Sequence, residues 1–225
     1  MMDKMVIGVL LLTCSAGAAQ ARDGDFYVGA EAGVTVVDGG DLTFTPGTVA
    51  ASTGTVDLGY DRGIDGAAFL GYDFGPVRIE AEASYRSAGI GTVNSDFTVG
   101  TVMVAGPRDG GGKVSALSFM GNAMLDIGKD DGLSFFVGGG VGYAKIRYDD
   151  LHVASTQSAF LDDGDAGFAW QLIAGVRQPI SGNIDVSARY RFFNAGDAQV
   201  VGFGGRTVDG SFRSHSVMAG ISLNF

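Results

Sequence analysis

Residues 77–86 read VRIEAEASYR and alternate strictly between two kinds of side chain. Apolar residues from Val77 to Tyr85 occupy one face, and charged or polar residues from Arg78 to Arg86 occupy the other. A period of two residues is typical of a β-strand whose two faces meet different environments. Residues 184–193, IDVSARYRFF, repeat the alternation up to Phe192. The chain is therefore expected to build a sheet with one apolar and one polar face.

The same alternation predicts eight strands of ten or more residues each. These predicted strands are 26–37, 64–73, 77–86, 115–127, 133–146, 167–177, 184–193 and 212–225. Ten tilted residues cross about 25 Å, the apolar height of an outer-membrane barrel. Tight turns alternate with long connections, which are expected at 38–63, 87–114, 147–166 and 194–211. Alternating segments inside them, such as Thr98 to Val104, indicate that some strands continue as hairpins above the membrane. The sequence thus predicts an all-β fold, an eight-stranded antiparallel transmembrane β-barrel with an up-and-down meander.

Composition excludes several other classes. The 225 residues include 38 Gly, which argues against a helix bundle, and 46% hydrophobic residues, which argues against a disordered chain. No apolar run reaches the roughly 18 residues that a transmembrane helix needs. The formal net charge of −10 disfavours nucleic acid as a partner. The length suits one domain.

The first residues are typical of an export signal. Met5 to Leu12 form a short apolar core, and Ala19-Gln20-Ala21 is a small-x-small cleavage pattern. We expect residues 1–21 to be a signal peptide cleaved after Ala21, and 22–225 to form the barrel. The alternative is a lipoprotein signal ending at Cys14, the single cysteine.

Cleavage after residue 21 leaves few groups for metal or covalent chemistry. The remaining chain has no Cys and only two His, so we expect no disulfide, metal or cofactor site.

Period two alone does not say which face is inside, and a soluble barrel of lipocalin type would bury the apolar face. The polar face, however, is rich in Gly and Arg and nearly balanced in charge, as the crowded interior of a small barrel requires. We therefore expect the apolar face, free of charge, to meet lipid. The expected lumen charge network is Glu31, Asp73, Arg78, Glu80, Glu82, Arg86, Asp126, Arg177, Asp185, Arg189 and Arg191.

The carboxyl end, Gly220-Ile221-Ser222-Leu223-Asn224-Phe225, resembles the assembly signal of bacterial outer-membrane proteins. Gly220, Leu223 and Phe225 are its matching positions, and Met218 is a minor departure. The glycine-aromatic segments 26–30, 69–73 and 137–143 resemble the opacity-type, outer membrane protein A-like, porin-like barrels. The resemblance implies export to the bacterial outer membrane and insertion by the barrel-assembly machinery. It also implies a monomer that contacts lipid and lipopolysaccharide.

By this resemblance the role is structural or interactive: envelope integrity, surface antigen, or adhesion to a host or cell-surface ligand through four long extracellular loops. Eight strands leave a lumen just wide enough for side chains, so a plugged interior is expected. One alternative is a small-conductance, porin-like channel along the lumen charges. A distant alternative is an outer-leaflet lipid-modifying enzyme using Ser214, His215 and Ser216 with Asp38. We expect no enzymatic activity, because no characteristic spacing supports it.

Two further groups of residues, one acidic and one aromatic, have more than one possible role or a role at the membrane interface. An acidic connection could bind Ca²⁺ or bridge to lipopolysaccharide through divalent ions, or simply be solvated. Its residues are Asp149, Asp150, Asp162, Asp163 and Asp165. A set of outward aromatic residues is expected to anchor the barrel at the membrane interfaces. These residues are Tyr72, Tyr85, Tyr143, Trp170 and Tyr190.

Overall fold

A computed structural model of the chain describes residues 24–38, 41–44, 54–99, 102–128, 132–153, 161–202 and 206–225. Its ten strands are β1 Phe26–Asp38, β2 Asp41–Phe44, β3 Gly54–Tyr60, β4 Gly63–Asp73, β5 Val77–Val99, β6 Val102–Ile127, β7 Ser134–Val153, β8 Leu161–Pro179, β9 Ile184–Gly202 and β10 Arg206–Asn224. All of them join one antiparallel sheet. Within the described ranges, no helix is long and apolar enough to cross a membrane.

Eight long strands form a closed wall. β1 and β4 to β10 follow one another around the barrel, and β1 closes it by pairing with β10 from Tyr27↔Asn224 to Asp38↔Arg213. The backbone N–H of Phe225 donates to the carbonyl of Phe26 at 2.9 Å, so the start of β1 and the end of β10 lie at one end of the barrel. The prediction of an eight-stranded antiparallel meander is confirmed. We call the end of the barrel that holds Phe26 and Phe225 the terminal end and the opposite one the loop end.

Short turns close the terminal end. In the turn between β4 and β5, the N–H of Gly75 donates to the Asp73 carboxylate at 2.8 Å, and Phe74 N donates to the carbonyl of Val77 at 2.9 Å. Gly75 has φ +94°, a left-handed conformation that glycine adopts without strain. This local chemistry explains why the chain reverses in so few residues here.

At the loop end the strands are longer than predicted. Most of the predicted connection 87–114 is strand, because β5 and β6 continue as a hairpin that closes at Val99↔Val102, in the segment whose alternation indicated a hairpin. Much of 147–166 and 194–211 is also strand. Backbone pairing continues beyond the region where side chains alternate between lipid and lumen, and the sequence pattern weakens there.

Part of the predicted connection 38–63 is strand as well. β2 pairs with β10, β3 pairs with β5, and the two pair with each other from Asp41↔Asp57 to Phe44↔Gly54. β2 and β3 occupy the positions that longer β1 and β4 strands would occupy, so the sheet extends past the loop-end ends of β1 and β4. β2 and β3 were not predicted because they are short and flanked by turn-forming residues.

The apolar face points outward. Val34, Phe119 and Phe168 are 60–62% exposed, whereas Arg86 and Arg191 on the other face are fully buried. A protein in water would not expose such a continuous apolar surface and bury its charges, so the lipocalin-type arrangement is excluded. The outward face is typical of a barrel in lipid.

Outward aromatic side chains gather near both ends of this apolar face. The terminal-end belt includes Phe26, Tyr72, Phe74, Phe135 and Phe225, and the loop-end belt includes Tyr85, Phe119, Tyr143, Phe168, Trp170 and Tyr190. Phe135 and Tyr143, one from each belt on β7, are separated by about 20 Å along the barrel axis. That separation is close to the apolar height of about 25 Å of an outer-membrane barrel.

The expectation that the apolar face carries no charge is wrong at the loop end. Lys145, inside the predicted strand 133–146, and Arg213, inside 212–225, both point outward and are exposed. Lys145 lies two residues beyond Tyr143 of the loop-end belt, where headgroups and water replace hydrocarbon. The charge-free face is therefore confined to the band between the two belts.

Candidate functional site

The lower lumen, toward the terminal end, holds ion pairs beside a small buried cluster of Met124, Phe136 and Ile173. Arg78 Nη2 donates to Asp126 Oδ1 at 2.9 Å, and Arg177 Nη1 donates to Asp73 Oδ2 at 3.3 Å. Arg177 also lies 3.7 Å from Asp126 and 3.9 Å from Asp185. These charged side chains come from β4, β5, β6, β8 and β9, so they cross-link the wall from its inside.

A second group of ion pairs lies at mid-height. Arg189 contacts Glu31 and Glu80, each at 3.2 Å. Arg191 lies 3.1 Å from Glu82 and also contacts Glu31. All five side chains are at most 2% exposed. Arg is suited to this role because its planar group donates several hydrogen bonds at once.

Neutral polar groups extend this mid-height group. The Tyr27 hydroxyl donates to Glu80 at 3.0 Å, and the Asn122 amide donates to Glu82 at 2.9 Å. Gln171 donates to Glu82 at 3.2 Å and to the Asn122 oxygen at 2.7 Å. The carboxylates are thus held by several strands, and buried charges need partners of this kind.

Asp65 belongs with these charges and was missed from the sequence. It is 2% exposed and lies 3.3 Å from Arg191 and 3.6 Å from Arg86. The sequence could have predicted that Asp65 points into the lumen, because it is on the same face of the predicted strand 64–73 as Asp73. With Asp65, the described side chains of the lumen include seven carboxylates and five guanidinium groups. All eleven predicted members of the network point into the lumen and have charged partners there.

The upper lumen, toward the loop end, is filled differently. We call its inward side chains the apolar cap: Val37, Tyr60, Ala88, Ile90, Val114, Ala116, Met120, Ala144, Ile146, Tyr148, Ala169, Phe193, Ala195 and Phe212. Arg86 marks the boundary with the charges, since its guanidinium lies 3.7 Å from the centre of the Phe193 ring. The sequence predicted a plugged interior, but this separate apolar layer was not recognised from it.

Two tyrosines of the apolar cap meet across the lumen beyond the loop-end belt. Burial raises the pKa of the Tyr60 phenol well above its usual range, and the adjacent Tyr148 adds to the effect. Burial also raises the pKa of Tyr148, although a hydrogen bond from Tyr60 acts in the opposite direction. Both phenols therefore stay neutral, so the cap adds no charge to the lumen.

Inward glycines make room for large side chains. A Cβ on Gly29 would lie 2.3 Å from the Phe69 ring, and one on Gly71 would lie 2.2 Å from the Tyr27 ring. The two pairs are reciprocal, because Gly29 is opposite Phe69 and Tyr27 is opposite Gly71 in the β1–β4 ladder. Gly on the polar face thus serves interior packing.

The residues considered for lipid modification do not assemble into a catalytic group. Ser214 and Ser216 are buried in the lumen, and Ser216 donates to Asp65 at 2.7 Å. His215 lies between them on the strand and therefore points outward, where its Nδ1 is 2.7 Å from the Tyr190 hydroxyl. Asp38 is exposed on the outer face, opposite Arg213.

The predicted assembly-signal residues lie on β10 and just after it. Leu223 and Phe225 point outward, 38% and 51% exposed, and Gly220 points inward beside Ser187 and Glu31. Ala21, Cys14 and His152 are among predicted positions whose side chains lie outside the described part of the chain. Of the acidic connection, only the side chains of Asp149 and Asp165 are described, and Asp149 forms an ion pair with Arg147 at 2.7 Å.

Known proteins are similar to this chain in sequence or in fold. The sequence model of a family described as outer membrane protein beta-barrel domain matches residues 7–225. Outer membrane protein PagN of Salmonella typhimurium is 23% identical over 200 residues, which covers 84% of this chain and 82% of PagN. The crystal structure of Neisserial surface protein A matches with a TM-score of 0.51 at 17% identity, covering 89% of this chain and 97% of that one.

Proposed function

Because the chain belongs to the outer membrane protein beta-barrel domain family, we propose that it is a closed outer-membrane anchor whose loop end faces outward and binds ligands at the cell surface. The filled lumen carries this proposal. Ion pairs occupy its lower part and the apolar cap occupies its upper part, with the largest side chains at most a few per cent exposed. An ion that crossed the barrel would have to displace both.

The packing supports a plug over the alternative of a small-conductance channel. Arg191 alone contacts Glu31, Glu82 and Asp65, so moving its side chain aside would remove a charged partner from three buried carboxylates at once. Above it, the described side chains of the apolar cap carry no charge, and its two tyrosine hydroxyls are hydrogen-bonded to one another, so the cap offers little to stabilise a permeating ion. The role of the lumen is therefore to hold the wall together.

The β5–β6 hairpin supports a role in surface binding. Tyr85 belongs to the loop-end belt, and β5 continues from there to Val99. Fourteen residues of tilted strand rise about 35 Å, so the hairpin projects well beyond the membrane. Its backbone pairing is continuous except for one register shift between Gly89 and Thr92. A rigid projection of this kind can present side chains to a ligand on another cell or in the surrounding matrix.

The absence of an assembled catalytic group around His215 favours binding over catalysis as the role of the loop end. The proposal also includes the family's setting: assembly by the barrel-assembly machinery, contact with lipopolysaccharide, and a monomeric state.

The experiment removes the projection and keeps the barrel. Val93 and Arg108 are opposite one another in the ladder, so residues 94–107 can be replaced by an Asn-Gly hairpin turn. A deletion strain would be complemented with the full chain or with this trimmed chain. Adherence to host cells and resistance to bile salts would be measured in both, and the heat-dependent gel shift would verify folding.

We expect the trimmed chain to restore resistance to bile salts, which depends on the barrel, and to lose adherence, which depends on the projection. Full adherence with the trimmed chain would assign binding elsewhere. A deletion strain that matches the parent in both assays would overturn the proposal.

A further inference from the structure

The barrel wall splits between β8 and β9 at the loop end. The last pair that joins these two strands is Ala169↔Ala195, beside Trp170 of the loop-end belt. Farther toward the loop end, β8 pairs only with β7 and β9 pairs only with β10. Each of the two strands therefore has one free edge, and the edges belong to residues 161–168 and 196–202. We call the split between these two segments the notch.

The base of the notch is open and its edges are long. A Cβ on Gly196 would have no described atom within 4 Å, and one on Gly167 would meet the Gly196 carbonyl first, at 3.8 Å. An unpaired strand edge offers a row of backbone N–H and C=O groups to another extended chain. Each free edge exceeds the roughly five or six residues of a common β-strand. The notch can therefore receive a strand.

Negative charge is in excess along the notch. Its two segments contain four Asp and no Lys or Arg. The segments that pair with their other edges, 143–151 and 206–210, are balanced, with three basic and three acidic residues. The excess at the notch is therefore not cancelled by the adjoining strands. The four acidic residues are Asp162, Asp163, Asp165 and Asp197.

The β5–β6 projection is a poorer template for a strand. β6 also has an edge without a strand partner in the described chain, beyond its pair Gly110↔Val153. That edge includes Pro107, which has no N–H to donate, and Arg108 is followed directly by Asp109. The notch has neither an interrupting Pro nor balanced charge.

We propose that the notch binds an extended, basic segment of a partner polypeptide by β-strand addition. The backbone of the segment pairs with a free edge of β8 or β9, and its Lys and Arg side chains meet the acidic residues of the notch. A second copy of this chain fits less well, because it would bring the same acidic excess to the contact. The inference rests on the proposed function, for which it names a class of ligand.

The test uses synthetic peptides and the purified full-length protein in detergent. One peptide, Lys-Val-Lys-Val-Lys-Val-Lys, can pair as a strand, whereas Lys-Pro-Lys-Pro-Lys-Pro-Lys keeps the charge but loses N–H donors. Fluorescence anisotropy would measure the affinity of each labelled peptide. Hydrogen exchange would locate the amides that the peptide protects, and a heat-dependent gel shift would verify the folding of each protein.

Two double variants each remove two negative charges at the loop end. Asp162→Asn with Asp197→Asn changes one residue on each edge of the notch. The matched control is Asp57→Asn with Asp209→Asn, since these two residues pair on both sides within the sheet. The chain trimmed at residues 94–107 would be tested as well.

We expect the Lys-Val peptide to bind the full chain and the trimmed chain equally, and to slow amide exchange within 161–168 or 196–202. The notch variant should bind it at least about fivefold more weakly at low salt, and the control variant should stay within about twofold of the wild type. The Lys-Pro peptide should bind at least about tenfold more weakly, because it cannot complete a ladder.

Equal affinity for the two peptides, or equal loss in the two double variants, would overturn the proposal, because charge alone would then explain binding. Loss of binding in the trimmed chain would assign the peptide to the β5–β6 projection. A dimer that protects the same amides without peptide would assign the notch to a second copy. Absence of binding would overturn the inference alone, because the adherence of the complemented strains is measured separately.

Discussion

The lower and upper parts of the lumen share the same strands and the same inward face, yet they are filled in opposite ways. Below, Arg189 and Arg191 tie together carboxylates from three other strands. Above, Ile146 and Phe212 pack among apolar side chains. The charged part depends on each partner being present, because the loss of one group removes a buried partner from several others. The apolar part depends on volume, and its losses follow the size of the cavity.

The largest effect is expected for a change in the charged part. Arg191→Met should lower the free energy of unfolding by about 3–5 kcal/mol, because Glu31, Asp65 and Glu82 would lose a buried partner. Urea unfolding of the barrel in lipid vesicles, followed by the fluorescence of the single Trp170, would measure it. A loss below about 1 kcal/mol would show that these charges do not act as one network.

A change in the apolar part should cost less. Ile146→Ala removes a side chain that is 1% exposed and should lower the free energy of unfolding by about 2–4 kcal/mol through lost burial and the cavity left behind. The same urea titration applies. If Ile146→Ala proved as mild as an exposed substitution, the apolar cap would be loosely packed and the contrast between the two parts would fail.

Overpacking should have a smaller effect than either. Gly29→Ala places a methyl group against the Phe69 ring, which can shift only partly, so a loss of about 1–3 kcal/mol is expected. Combining it with Phe69→Leu should recover part of that loss, since the smaller side chain vacates the space. Additive losses in the double variant would contradict the reciprocal packing of β1 and β4.

The smallest effect is expected for an ion pair outside the barrel. Arg147→Met breaks the exposed pair with Asp149 and should change the free energy of unfolding by no more than about 1 kcal/mol. It makes the same chemical change as Arg191→Met, but in contact with water. Similar losses in the two variants would mean that burial does not govern the strength of the lumen pairs.

The fold was predictable because alternation is strongest where one face meets lipid and the other meets packed charges. Residues 77–86 show both faces without exception, and all eight wall strands follow from such segments. Beyond the membrane this contrast disappears. The loop-end continuations of β5 and β6, and the short strands β2 and β3, are held by backbone pairing, which leaves a weaker trace in the sequence.

The interior was predictable only in part, for a related reason. Charged residues on an otherwise apolar strand stand out. Their placement in the lumen follows from the alternation of side chains between the two faces of a strand. The apolar cap does not stand out, because Val114 and Ile146 resemble lipid-facing residues and lie at or near the ends of the predicted strands. Which carboxylate faces which Arg depends on the stagger between strands, and single-strand patterns do not contain it.

The closed lumen is tested most directly by conductance. The purified full-length protein, with its folding verified by the heat-dependent gel shift, would be inserted into a planar lipid bilayer beside a large porin as positive control. A lumen filled by both ion pairs and the apolar cap predicts no discrete current steps from the folded barrel. Reproducible steps of one size, present with folded protein and absent with the unfolded chain, would contradict the account and make the protein a channel.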